Sequence, residues 1–413
     1  MKYRHTIISS VLLSLSIAIN LPVWAITTPS AVPTPLAQPK QPALIPAAPS
    51  IQATSYVLMD ATTGKIIASK DPNMRVEPAS LTKMMTMYIV SSALSRGDIN
   101  LTDEVTISKK AWRTGGSRMF VRAGEQVKVE DLIHGVVIQS GNDACVALAE
   151  YVAGSEEAFA SLMNQQAKLL GMKDTHFTDS TGMPHEDHYT TAHDLAILAR
   201  ALINDFPQYY HWYHLKAFKY NNIKQYNRNR LLWRTIPGVV IDGVKTGHTS
   251  TAGYCLVSSG VKDQTRLIGV VMGTHNDHVR TNASAELLSY GFRFFETHKL
   301  YAANEKLTEP RTWGGKYDTT ALGLTKPLYI TIATNQYKNL RATVELPKII
   351  KAPINKGQSV GSIKITLNGK EVAQRPLVAL QTNPPANLWG RFTDSVSLFF
   401  KKWFDSNNKK TQA

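Results

Sequence analysis

The chain reads as an α+β protein: an antiparallel sheet covered by helices, followed by a small all-β domain and a C-terminal amphipathic helix. Three observations predict this. Strand-like runs stand at both ends of the first three hundred residues with helical patterns between them, the order expected when helices pack on an antiparallel sheet. From about Leu300 to Gln381 the pattern changes to short alternating runs. Last, Asn387 to Phe404 places Leu388, Trp389, Phe392, Val396, Phe399, Phe400 and Trp403 at helical spacing, with Arg391, Lys401 and Lys402 off that face. A length of 413 residues with 43% hydrophobic residues can bury a large core, so disordered and fibrous classes drop out. The 2 Cys exclude a disulfide framework and a four-thiolate zinc site.

Taken in order, Met-Lys-Tyr-Arg-His followed by the apolar run Thr6 to Leu21 is expected to be an export signal, residues 1–25, cleaved after Ala25. The alternative is an uncleaved anchor, for which the run is short of the ~20 residues a span needs. Residues 26–50, rich in Pro and Ala and uncharged except at Lys40, read as an extended tether. The main domain is expected over 51–299. Ser55 to Asp60, the turn Ala61-Thr62-Thr63-Gly64, and Lys65 to Ser69 read as strand, turn, strand. Pro78 precedes a helix from Ser80 to about Ser95, closed by Gly97. Helical patterns continue over Val129 to Gln139, Asp143 to Ala153, Glu156 to Leu170 and Thr191 to Asn204. Val239 to Thr246, Tyr254 to Ser259 and Arg266 to Met272 are strands, and Asn282 to Thr297 a final helix. In the β-rich domain, 300–385, Leu328 to Ile332, Arg341 to Leu346 and Ser362 to Leu367 are strands, the last ending at the hairpin dipeptide Asn368-Gly369. The segment 386–413 carries aromatics on one side and cations on the other, which suits a helix lying in a lipid interface. The competing reading is a helix docked on the core.

The balance of 46 Lys+Arg against 31 Asp+Glu, +15 formally, raises two partners, nucleic acid and an anionic membrane surface. Export argues against nucleic acid, and no helix-turn-helix, zinc-finger or ribonucleoprotein pattern argues for it.

Chemistry concentrates in three short motifs: Ser80-Leu81-Thr82-Lys83 opening a helix, Ser140-Gly141-Asn142 between two helices, and Lys245-Thr246-Gly247 ending a strand. A serine hydroxyl needs a base within hydrogen-bond reach, and a lysine three residues on projects from the same helix face. An ordinary lysine, pKa about 10.4, must be lowered by roughly two to four units to accept the proton, and burial against Met84, Met85 and Tyr88 with a second cation at Lys245 pushes that way. Ser140 can bridge the two lysines, Asn142 can offer its amide to a substrate carbonyl, and Thr246 and Gly247 can let an extended peptide lie along the strand edge. Each motif alone also fits plain structure: a helix N-cap with a solvated lysine, a polar interhelix turn, a strand-ending turn.

The trio is shared by penicillin-binding proteins and class A β-lactamases. With its flanks, Pro78 to Thr86, Gln139 to Ala147 and Asp242 to Thr249, the chain resembles the D-alanyl-D-alanine carboxypeptidases of the type-5 and type-6 low-molecular-mass penicillin-binding proteins of Gram-negative bacteria. The resemblance runs from the export signal to the amphipathic segment. It implies a β-lactamase/transpeptidase-like fold and a serine peptidase without cofactor or metal. Ser80 would attack the penultimate D-Ala of a peptidoglycan pentapeptide stem, and β-lactams would acylate the same hydroxyl. It also implies an oxyanion hole from the backbone N–H groups of Ser80 and His248, substrate carboxylate binding by Arg280, and a second site arginine at Arg228. The implied location is the periplasmic face of the inner membrane, peripherally anchored.

Two departures stand out. The segment Trp112 to Phe120 is several residues shorter than in the family, and Arg230 replaces a usual glycine at the cleft rim. Competing readings are a β-lactamase using Glu186, a zinc peptidase using His185 and His188, and a non-catalytic peptidoglycan-binding or penicillin-sensing module. Cys145 and Cys255 leave one disulfide open.

Overall fold

A computed structural model describes residues 45–410, with side chains described to residue 400. The expected export signal, most of the tether and the side chains of Lys401, Lys402 and Trp403 lie outside that range.

Five strands form the central sheet: β1 (Ser55–Asp60), β2 (Ile66–Lys70), β3 (Val240–Thr249), β4 (Gly253–Lys262) and β5 (Thr265–Thr274). They are antiparallel in the order β2-β1-β5-β4-β3. Side chains alternate across the sheet, so each face feeds its own core. Val57, Met59, Val257 and Val270 face Met84, Met85 and Leu195. Leu58, Leu256, Leu267 and Val271 face Leu287, Leu288 and Phe292 of the helix Asp277–Phe294. Complete burial of an aliphatic side chain contributes about 1.5–3 kcal/mol, so this layered sheet holds β3 firmly where its far end meets the nucleophile turn.

Around the site, local structure departs from the sequence reading as follows. Ser80 lies in a 3₁₀ turn, Ala79–Thr82, and the α-helix proper is Lys83–Arg96, ended by Gly97 at φ 77°. The helix from Val129 is α only to His134 and then widens into a π turn, Gly135–Gln139. The hairpin Ala217–Tyr220/Ile223–Tyr226, not anticipated, turns at Asn221 and Asn222, both at positive φ. The helix expected over Asn282 to Thr297 instead spans Asp277–Phe294, capped by the Asn276 side chain, which accepts from the Val279 N–H at 2.8 Å.

After it the chain becomes strand Phe295–Tyr301, paired with Leu328–Ala333, and so runs across the expected boundary at 299/300. A four-stranded sheet of Leu322–Gly323, Lys370–Ala379, Ser359–Leu367 and Leu340–Glu345 completes the second domain, with Asn368 at φ 51° and Gly369 at φ 81° in its hairpin turn. A buried knot joins the domains. The fully buried Asp60 carboxylate accepts from the Thr63 N–H, the Thr63 hydroxyl and the Thr297 hydroxyl at 2.6, 2.7 and 2.6 Å. The Thr331 hydroxyl meets both threonines, and Lys65 Nζ donates to the Thr331 carbonyl at 2.9 Å.

The last helix, Leu388–Lys410, is tied to this domain through Asp394, which accepts from Arg311 Nη2 at 2.8 Å and the Gly314 N–H at 2.6 Å. Leu398 is buried, whereas Trp389, Phe392 and Phe399 are 75%, 61% and 67% exposed. Among the described residues no helix is long and apolar enough to cross a membrane.

Candidate active site

Ser80 is aimed by the turn beneath it. Ala79 is held at φ 47°, a left-handed conformation costly for a residue with a Cβ, and Leu81, Met84 and Met85 fasten the turn into the core. One residue after the turn, Lys83 is wholly buried, with Nζ donating to Ser80 Oγ at 3.0 Å, Asn142 Oδ1 at 2.7 Å and the Thr181 carbonyl at 2.7 Å. Burial pushes its pKa below the ordinary lysine value, and the Arg228 charge adds to this, while Cys145, Asp179 and Asp143 oppose it.

The π turn delivers Ser140 at φ 66°. Lys245 Nζ, from β3, donates to Ser140 Oγ at 2.9 Å and to the Thr246 carbonyl at 3.1 Å. Its pKa is driven well down, chiefly by burial and then by the neighbouring Lys83 and Arg228 charges. The three motifs thus surround one hydroxyl. Gly247 lets the strand come this close, because a Cβ there would stand 2.9 Å from the Pro78 carbonyl oxygen.

Ser80, Ser140, Thr246, Gly247 and His248 open onto a cleft of 680 Å³ whose rim carries Arg228, Arg230 and Arg280 against a single carboxylate, Asp277. Asp277 bonds both Arg280 Nη2 at 2.6 Å and Arg230 Nε at 2.7 Å. Arg280 Nη1 donates to the Gly247 carbonyl at 3.2 Å, bracing β3 from behind. Among the described residues Arg228 has no hydrogen bond or ion pair, and burial lowers its pKa from the ordinary arginine value. The His248 ring packs on Tyr254 with centroids 3.9 Å apart.

Asn142 Oδ1 accepts from Lys83 Nζ, and its Nδ2 donates to the Gly115 carbonyl at 2.7 Å. Sequence reasoning missed Asp143. This buried carboxylate accepts from the Met119, Phe120 and Val121 N–H groups at 2.9, 2.9 and 3.3 Å. With the Asn142 N–H donating to the Ser117 carbonyl at 2.7 Å, the short Trp112–Phe120 segment is stitched to the second motif. Thr181 was missed too, because it contributes a backbone carbonyl that no side-chain pattern advertises.

The competing candidates fall elsewhere. Glu186 and His185 are exposed and outside the cleft, and His188 is buried against Thr82. Among the described residues no three His, Cys, Asp or Glu side chains converge as metal ligands. Cys145 and Cys255 are both free and buried, and burial raises their thiols to about 12 and about 11.

Two family models match, one described as D-alanyl-D-alanine carboxypeptidase over residues 42–276 and one as the penicillin-binding protein 5 C-terminal domain over 295–384. The D-alanyl-D-alanine carboxypeptidase DacA of Escherichia coli (strain K12) is 44% identical over 87% of this chain and 91% of its own length. The crystal structure of penicillin-binding protein 5 from Haemophilus influenzae superposes with a TM-score of 0.79 at 41% identity, covering 82% of this chain and 99% of that one. Penicillin-binding protein D2 of Listeria monocytogenes, in its ampicillin-bound form, matches at 25% identity and TM-score 0.54 over 59% of this chain and 98% of that one. With the Ser80–Lys83 pair and the Ser140–Lys245 pair assembled behind one cleft, the chain belongs to the D-alanyl-D-alanine carboxypeptidase family.

Proposed function

We propose that the protein is a serine-type carboxypeptidase that removes the terminal D-Ala from peptidoglycan pentapeptide stems through an acyl-enzyme on Ser80. The observation that carries this reading is the fully buried Lys83, with Nζ 3.0 Å from the Ser80 hydroxyl and a pKa lowered by burial. Neutral Lys83 takes the proton as Ser80 Oγ bonds to the penultimate carbonyl carbon. Backbone N–H groups of Ser80 and His248 receive the oxyanion, an interaction typically contributing a few kcal/mol. As the peptide bond breaks, Ser140, held by Lys245, gives its proton to the leaving D-Ala nitrogen and takes one back from the protonated Lys83, which returns to its neutral form. Water then adds to the acyl carbon as Lys83 accepts its proton, and the ester bond breaks as that proton passes to Ser80 Oγ, freeing the shortened stem as a carboxylate.

The terminal carboxylate meets Arg228, whose guanidinium is otherwise unpaired, with Thr246 beside it. Arg280 supports that end of the cleft from its shared position on Asp277, and Arg230 competes for the same aspartate, biasing the rim toward anionic stems. A β-lactam presents a carbonyl and a carboxylate in the same relation and is expected to acylate Ser80. The exposed aromatic face of Leu388–Lys410 lies in the outer surface of the inner membrane, and the export signal delivers the chain to the periplasm.

The test is D-Ala release from a pentapeptide, with and without a chelator, alongside intact mass after benzylpenicillin. Chelator-insensitive release is expected, with an adduct on the native protein and none on Ser80→Ala. An adduct persisting on Ser80→Ala would refute the assignment.

A further inference from the structure

The loop that supplies the third acceptor for Lys83 is built around a histidine the reaction does not use. Bridges Val76↔Thr190 and His176↔Tyr189 pin the returning end of this loop to the body of the domain. Between them, the Asp179 carboxylate gathers the loop: Oδ1 accepts from the Thr181 N–H at 2.6 Å, the Thr181 hydroxyl at 2.7 Å and the Gly182 N–H at 2.7 Å. These bonds set the direction of the Thr181 carbonyl, which receives Lys83 Nζ at 2.7 Å.

His188 is 2% exposed and stands edge-on to Phe177. Its Nδ1 is 3.3 Å from Asp179 Oδ2 and 2.9 Å from Thr178 Oγ1. Its Nε2 shares a hydrogen bond of 2.9 Å with Thr82 Oγ1, and Thr82 is the last residue of Ser80's turn, directly before Lys83. One imidazole therefore ties the nucleophile's turn to the loop that holds the base. Buried hydrogen-bonded rings of this kind fix geometry, because neither ring nitrogen can trade its partner for water.

We propose that His188 is a positioning residue for the Ser80–Lys83 pair, a cross-brace that keeps the Thr181 carbonyl on Lys83 Nζ while Lys83 addresses Ser80. This rests on the roles given to Ser80 and Lys83 above. The brace needs both ends, so cutting either should have the same effect as removing the ring. It acts on the chemical step: His188 does not line the cleft and should leave initial ligand binding alone.

The experiment is stopped-flow acylation by benzylpenicillin, resolved into the initial binding constant and the acylation rate constant, on the full chain. His188→Ala and Thr82→Val are each expected to lower the acylation rate constant about ten- to a hundredfold, the loss typical of a small misplacement of reacting groups. The binding constant should stay within about twofold for both, as expected when only a chemical-step interaction is lost. His188→Gln, which keeps an amide where Nε2 stood, should recover most of the rate, and the double variant His188→Ala/Thr82→Val should be no slower than either single one. A native acylation rate in Thr82→Val, additive losses in the double variant, or a loss confined to the binding constant would each overturn the proposal. Should His188→Ala fail to fold, Thr82→Val and His188→Gln decide alone. Ser80→Ala separates the two levels. An adduct on that variant refutes the nucleophile assignment, whereas a Ser80-dependent adduct formed at native rate by Thr82→Val refutes only the brace.

Discussion

Gly182 offers a direct measure of how tightly the base-holding loop presses on the nucleophile. It sits at φ +87°, and a Cβ built there would stand 1.8 Å from the Ala79 carbonyl oxygen and 2.8 Å from Thr82 Oγ1. Gly182→Ala therefore carries two penalties. The left-handed backbone costs about 1–2 kcal/mol for a residue with a side chain. The clash is larger in consequence, since ordinary contact begins at 3.4 Å and the segments must part by about 1.6 Å. The obstacle is backbone, so no flexible side chain can swing aside. The displaced oxygen belongs to the residue immediately before Ser80, and a 1 Å error in a reacting group can cost about 10²-fold in rate. Acylation by benzylpenicillin is thus expected to slow at least about a hundredfold, while circular dichroism reports a folded protein melting a few degrees lower. The assay is time-resolved intact mass with a parallel thermal melt. A folded Gly182→Ala protein acylated at the native rate would refute the argument that this loop sets the position of the nucleophile turn.

Other consequences follow from the same geometry. Arg228→Gln removes an unpaired cation, so the melting temperature should be unchanged while KM for a pentapeptide rises about ten- to a hundredfold, the weight of a charged hydrogen bond. Because Arg228 also helps depress both lysines, the acid limb of the acylation profile should move to higher pH in that variant, read by rate against pH. Lys245→Met should abolish turnover yet raise the thermal midpoint. The folded chain holds this lysine's pKa below the unfolded value of about 10.4, so the unfolded state binds more protons between those two pKa values. Native stability consequently rises with pH across that window and carries the full cost below it, a cost the neutral side chain lacks. A lower midpoint in Lys245→Met than in the native protein would contradict this. Deleting 387–413 should release the protein from anionic vesicles, measured by flotation, with the peptidase rate unaltered; unchanged flotation would count against the interfacial helix.

What was legible in the sequence was what is local. Ser80 and Lys83 share a helical face three residues apart, and the flanks of Ser140 and Lys245 carry the pattern of their turns, so the core of the site could be named before the fold. Arg228 could be named but not placed, because the hairpin presenting it, Ala217–Tyr226, has lysines and glutamine in its strands and lacks an alternating apolar face. Its paired asparagines were the available turn signal, both at positive φ. Asp277 went unseen because the helix Asp277–Phe294 opens on polar residues, and only Asn276 as its cap marks the start. The roles of Thr181, Asp143 and Asn142 depend on long-range partners: a carbonyl 98 residues from Lys83, N–H groups some two dozen residues before Asp143, and an amide that donates to Gly115. No periodicity encodes such meetings.

The knot around Asp60 has a mechanical consequence. A carboxylate with no exposed surface, held by hydroxyls from both domains, clamps the first strand of the peptidase unit to the first strand of the unit that follows. The two tilt together, so a load taken up by the second unit reaches the sheet whose edge strand carries Lys245 and the cleft.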